Sequence, residues 1–286
     1  MPVPYYVPKM IKKILSNSIL AFFVLGAFIE APVNAEDFIT LDNGLRAVVK
    51  EDHRSPIVVF SIFINSGSAS EGEYNGTGIS HLIEHMLFKG TKKYPVGSIE
   101  DILNKYGGSI EGWTSYDYTG YSVTILKDHL DIALDILKEM LTEPVFDQAE
   151  MKKEMAVIER EMDMNKDDTS RRVSRMTFET AFLEHPYRLP PIGYKENFER
   201  LTRVDLIKFF KAAYVPEKMT IAVVGDIDRQ NVLDKINMSF GRMPRGNNTV
   251  IVRPKEPLQA TERLLEKRAD IDGAYMNISF HSTDLL

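Results

Sequence analysis

The stretch GTGISHLIEHMLFKGT, from Gly76 to Thr91, most constrains what this chain can fold into. A helix through it turns 100° per residue, which puts His81 and His85 one turn apart on one face with Glu84 beside them. Ile79, Leu82, Ile83, Met86 and Leu87 take the other side, and Gly90 is well placed to end the helix. The helix must therefore pack on a core with one face and present two imidazoles and a carboxylate with the other. Histidines at i and i+4 can share a cation, and the adjacent carboxylate can hold and deprotonate a water on it. The plainer alternative is an ordinary amphipathic helix that carries two histidines. A third ligand decides between them.

Composition narrows where that ligand can come from. The 286 residues include no cysteine, so disulfides and thiolate ligands are excluded and any metal site must be built from His, Asp and Glu. At 44% hydrophobic and 27% charged, the chain has a globular balance with room for one large domain or two small ones. Residues 1–35 read as a secretory signal peptide. Lys12 and Lys13 precede the apolar run Ile19 to Ile29, and Val33-Asn34-Ala35 is a small-residue cleavage pattern. That run is short for a membrane span, so an exported, periplasmic protein with no stable span after cleavage is expected ahead of the alternative, a retained membrane anchor, with the start at Met1 or at Met10. Without the leader the chain has 40 acidic and 32 basic residues, a formal charge of −8, which disfavours nucleic acid and favours basic peptides.

Along the chain, FITL and LRAVVKE read as a hairpin joined through Asp42-Asn43-Gly44, and Ile57 to Asn65 reads as a buried strand. A helix is expected near Ile99 to Lys105, followed by the strand-like runs SIEGWTS and YTGYSVTIL. Helical patterns dominate from Leu130 to Ala213, with a capping box at Thr202 and Asp205. A strand (Met219 to Asp226) and a helix (Asn231 to Phe240) follow. These elements describe an α+β fold: a two-layer domain over residues 36–245 with a mostly antiparallel sheet covered by helices. Residues 246–262 read as a Gly-, Pro- and Asn-containing linker, and residues 263–286 as the opening strands of a truncated second domain.

The segment Ala149 to Asp168 offers the missing ligand. Met151, Met155, Ile158 and Met162 form an apolar stripe at helical spacing, with Glu154 and Glu161 together on one flank of it. Glu159 and Asp163 point elsewhere, toward solvent. Spacing alone also fits the acidic face of a soluble helix.

His81-Leu82-Ile83-Glu84-His85, followed by Glu154 and Glu161, resembles the H-x-x-E-H motif of the pitrilysin (insulinase) family of zinc metallopeptidases, in particular the bacterial relatives of the mitochondrial processing peptidase β subunit. The likeness also takes in LDNGLRAVV, GTKKYP, VIEREM, HPYRLPPIGYKENFERLTRVDLIKFF and MTIAVVGDID. It implies one zinc ion held by His81, His85 and Glu161, with Glu84 as general base and Glu154 steadying the site from behind. It implies a peptide or unfolded-protein substrate bound as an added strand along Ser109, Ile110, Glu111, Gly112 and Trp113. Here Glu111-Gly112 departs from the family's usual small polar pair, and an ordinary strand with Trp113 in the core is the competing reading of this segment. Family enzymes close two related halves over the substrate, so the second half is expected from a homo- or heterodimer partner or from further chain. The implied activity is zinc-dependent endopeptidase hydrolysis through a metal-activated water. The alternative is a non-catalytic peptide-binding or assembly subunit of a two-subunit peptidase.

Overall fold

Burial alternates along the strands, and that alternation defines a sheet with one covered face. In β3 (Ile57–Ile64), Val58, Phe60, Ile62 and Ile64 are buried while Ile57 and Val59 are exposed. β6 (Met219–Gly225) repeats the pattern, burying Met219, Ile221 and Val223 and exposing Val224. The computed structural model describes residues 38–246, 253–271 and 273–281.

With β1 (Phe38–Thr40), β2 (Arg46–Glu51), β4 (Ser109–Thr114) and β5 (Thr119–Leu126), these strands form one six-stranded sheet in the order β1-β2-β6-β3-β5-β4. Every neighbouring pair is antiparallel except β2 and β6, which run parallel. The β1–β2 connection turns where Gly44 takes φ +90°, in the left-handed region that favours glycine. β4 ends the sheet, so its outer edge has no strand partner among the described residues.

Eight helices are described: α1 (Ile79–Leu87), α2 (Ser98–Lys105), α3 (Leu130–Thr142), α4 (Gln148–Asp167), α5 (Thr169–Ala181), α6 (Lys195–Phe198), α7 (Arg203–Ala213) and α8 (Arg229–Phe240). Side-chain caps cut the long helical text into pieces. Asp147 accepts the Ala149 and Glu150 amides at the start of α4, and Asp168 accepts the Arg171 amide at the start of α5. Thr202 and Asp205 form the expected capping box at α7. α3 packs on β3 and β5, α8 on β2, and α1 on β4 and α4. The core lies between the covered face of the sheet and these helices, where Leu82, Ile83, Met86 and Leu87 of α1 are fully buried. The fold is α+β, as the sequence patterns indicate.

Residues 1–35, the expected leader, lie outside the described residues. Of the expected linker, residues 253–262 run without helix or strand, and 247–252 are outside the described set. Glu256 anchors this segment by accepting the Leu183, Glu184 and His185 amides at 2.8, 3.0 and 3.0 Å. The expected strands beyond residue 263 do not appear among the described residues, which have no neighbouring strand to pair with. No described helix is long and apolar enough to cross a membrane.

Candidate metal centre

The histidine helix behaves as its pattern demands. Its apolar side is buried, and His81 and His85 stay half-buried on the other side with ring centroids 4.7 Å apart. Ligating atoms of His81, Glu84 and His85 all lie within 4.8 Å of one another. α4 packs against α1 and carries the two glutamates singled out by their spacing. Glu161 Oε2 stands 3.7 Å from His81 Nε2, and Glu154 Oε2 stands 3.1 Å from His85 Nδ1. Glu159 and Asp163 turn away from the centre, to Lys195 and Lys166.

Each carboxylate meets a different histidine nitrogen. Glu154 also pairs with Lys89 Nζ at 3.0 Å, and a carboxylate oxygen accepts, so the contact suits the His85 tautomer that donates from Nδ1 and leaves the Nε2 lone pair free. Burial, helped by the neighbouring His85, pushes the His81 pKa down to about 3, so its ring is neutral at physiological pH. At 3.7 Å the Glu161 to His81 separation is too long for a hydrogen bond, and close to the roughly 3.3 Å expected between two ligands of one tetrahedral zinc. Two imidazoles and a carboxylate, with a second carboxylate behind one ring, are a donor set that fits zinc.

Glu84 sits in the same group with little solvent contact. Burial raises its pKa, while a hydrogen bond from Thr114 Oγ1 at 2.6 Å and the nearby His85 pull it back. The bond from Thr114 ties the carboxylate to β4. Two positions earlier on the same face, Gly112 lies against α1: a Cβ there would fall 2.9 Å from Phe88 Cε2 and 3.2 Å from Glu84 Cγ. The proposed docking strand thus runs directly beside Glu84, with Gly112 and Thr114 facing it. Ser109, Glu111 and Trp113 alternate to the opposite face. There Trp113 packs over Gly120 and edge-on to Phe63, with ring centroids 5.8 Å apart, so it is a half-buried residue of the open face and lies outside the core.

Three contributors escape sequence reasoning. Thr114 carries a signal in retrospect, since strand alternation from Gly112 puts it on the face of Glu84. Lys89 lies one turn beyond His85, and nothing in its type marks it as the partner of Glu154. Glu71 lies in a loop with no periodicity to read. It is 2% exposed and accepts the Ser80 amide at the start of α1, and burial pushes its pKa up to about 8.

Comparison with known proteins identifies the family. Residues 46–193 match the family described as insulinase (peptidase family M16), and residues 200–285 match the peptidase M16 inactive domain. The chain is 29% identical over 248 residues to the uncharacterized zinc protease YmxG of Bacillus subtilis, covering 86% of this chain and 59% of that protein. It is 31% identical over 205 residues to the probable mitochondrial-processing peptidase subunit beta of Arabidopsis thaliana, covering 71% of this chain and 38% of that one. The crystal structure of a protease from Helicobacter pylori superposes with a TM-score of 0.74 at 28% identity, over 79% of this chain and 55% of that one. That of the periplasmic protease PqqL from Escherichia coli gives 0.69 at 28% identity, over 77% and 26%. The chain therefore spans less than two thirds of the length of each of these proteins. With a family model matched over more than half its residues, the chain belongs to the insulinase family of peptidases, family M16.

Proposed function

We propose that this chain is the metal-bearing half of a zinc-dependent endopeptidase that hydrolyses extended peptides. The observation that carries the reading is the convergence of His81, Glu84 and His85 within 4.8 Å, with Glu161 facing His81 and Glu154 backing His85. His81, His85 and Glu161 would hold the ion. A bound zinc supplies Lewis-acid chemistry, lowering the pKa of water and polarising a carbonyl. Glu84 then accepts the proton of the attacking water and returns it to the leaving amine, a role suited to a buried carboxylate held by Thr114. Glu154, with Lys89 on its other oxygen, fixes the tautomer and orientation of His85.

The outer edge of β4, which has no strand partner among the described residues, lies beside Glu84, and an extended peptide adding there as a strand would bring its backbone to the reacting centre. Such pairing favours extended chains over particular sequences. A second half, from a partner subunit or further chain, would complete the cleft, in keeping with the two-half lengths of the relatives. The signal-like leader and the periplasmic neighbour support export to the periplasm.

Glu84→Gln tests the assignment, because the amide oxygen can still accept from Thr114 while the base is gone. The variant should keep its zinc and lose peptide cleavage by about a hundredfold to ten-thousandfold in a fluorogenic peptide assay. Cleavage at the wild-type rate would remove Glu84 from the role of base. A wild-type chain that retains peptides and zinc without turnover, even when supplied with a second half, would mark it as a binding subunit.

A further inference from the structure

The N-cap residue of α1, Gly78, supplies no side-chain cap and sits in the left-handed region at φ +72°. No larger residue fits there, since a Cβ would fall 2.2 Å from the Ile192 carbonyl oxygen. The first amides of a helix have no intrahelical acceptor, so a helix that starts this way needs acceptors from elsewhere. Thr77 Oγ1 takes the Ile79 amide at 3.3 Å, and Glu71 Oε1, nine residues before its partner, takes the Ser80 amide at 3.0 Å.

Glu71 has little else to do. Its carboxyl is buried, its second oxygen has no hydrogen-bond partner among the described residues, and its other polar neighbours are the Ser80 hydroxyl and the amides of Gly78 and Gly76, all at the same helix start. Burying a carboxyl is unfavourable unless its bonds offset the lost hydration, and these bonds all serve the entry of one helix. His81 follows Ser80 directly, in the first turn. His85, one turn on, is held from outside by Glu154, whereas His81 Nδ1 is buried with no partner among the described residues. The orientation of His81 therefore depends on the backbone of the first turn.

We propose that Glu71 is a positioning residue of the metal centre, capping the first turn of α1 from the preceding loop and so fixing the ligand His81 against Glu161 and His85. This inference rests on the reading of the centre as a zinc site. The test compares zinc affinity, by chelator competition, for Glu71→Gln, Glu71→Ala and Glu71→Met, alongside the cobalt-substituted absorption spectrum of each. The amide oxygen of glutamine can still accept the Ser80 amide, so Glu71→Gln should bind zinc within about twofold of wild type and keep its cobalt spectrum. Alanine and methionine remove the acceptor, and should weaken zinc about tenfold with a shifted cobalt spectrum. Methionine fills the site, so it reports even where the cavity left by alanine unfolds the chain. Folded Glu71→Met with wild-type affinity and spectrum would overturn the proposal, as would a glutamine variant as weak as methionine. A wild-type chain that binds no zinc would instead refute the reading of the site itself.

Discussion

At the scale of single residues, the two α4 glutamates separate by which nitrogen each one faces. Glu161 stands off His81 Nε2 at 3.7 Å, close to the distance expected between two ligands of one ion, while Glu154 approaches His85 Nδ1 to 3.1 Å. Removing a ligand and removing its support should differ in degree. Glu161→Ala is expected to lose zinc during dialysis, and Glu154→Ala to keep it with an affinity about tenfold to a hundredfold lower. Titration against a chelator measures both, and retained stoichiometric zinc in Glu161→Ala would pass the ligand role to another carboxylate. His81, Glu84 and His85 were legible because a motif and a helical period coincide on one stretch. Glu154 and Glu161 were legible as one flank of a helix, and only the family resemblance told their roles apart. Glu71, Lys89 and Thr114 act through contacts between distant parts of the chain, which no local pattern encodes.

At the scale of elements, strands and helices follow their periods, while pairings between remote strands do not. The β1–β2 hairpin was readable from Asn43-Gly44 and its flanking strands. The parallel pairing of β2 with β6 joins segments more than 160 residues apart, and nothing local announces it. The breaks inside the helical stretch did have signals, Asp147 and Asp168 as N-caps, which the apolar spacing overshadowed. The segment around Glu256 yields a pH prediction. Burial works to raise its pKa, but the His185, Leu183 and Glu184 amides, with Arg263, hold it at about 2 against a usual 4.5. The unfolded or undocked form thus takes up the proton first, so the stabilisation is full above pH about 4.5 and is lost as pH falls toward 2. Amide protection at residues 183–185, measured as exchange relative to the intrinsic rate at each pH, should fall across that window in wild type. In Glu256→Gln, which lacks the titrating group, this acid-dependent loss of protection should be absent; an identical pH profile would remove Glu256 as the anchor.

At the scale of the whole molecule, the sheet brings an open edge and the histidine-bearing helix α1 together. β4 closes one end of the strand order, its Gly112 and Thr114 contact α1 and Glu84, and α4 supplies two carboxylates from the far side. The absence of cysteine pointed toward a His and carboxylate site, and the fold brings such residues together. The linker and the segment beyond it were read as the approach to a second domain, and among the described residues they show no strand of their own. Everything proposed for catalysis depends on the centre binding its ion. The most direct test is elemental analysis of the purified chain under non-chelating conditions, beside His81→Ala. The account predicts about one zinc per wild-type chain and almost none in the variant. Wild-type protein with no bound divalent metal would contradict it.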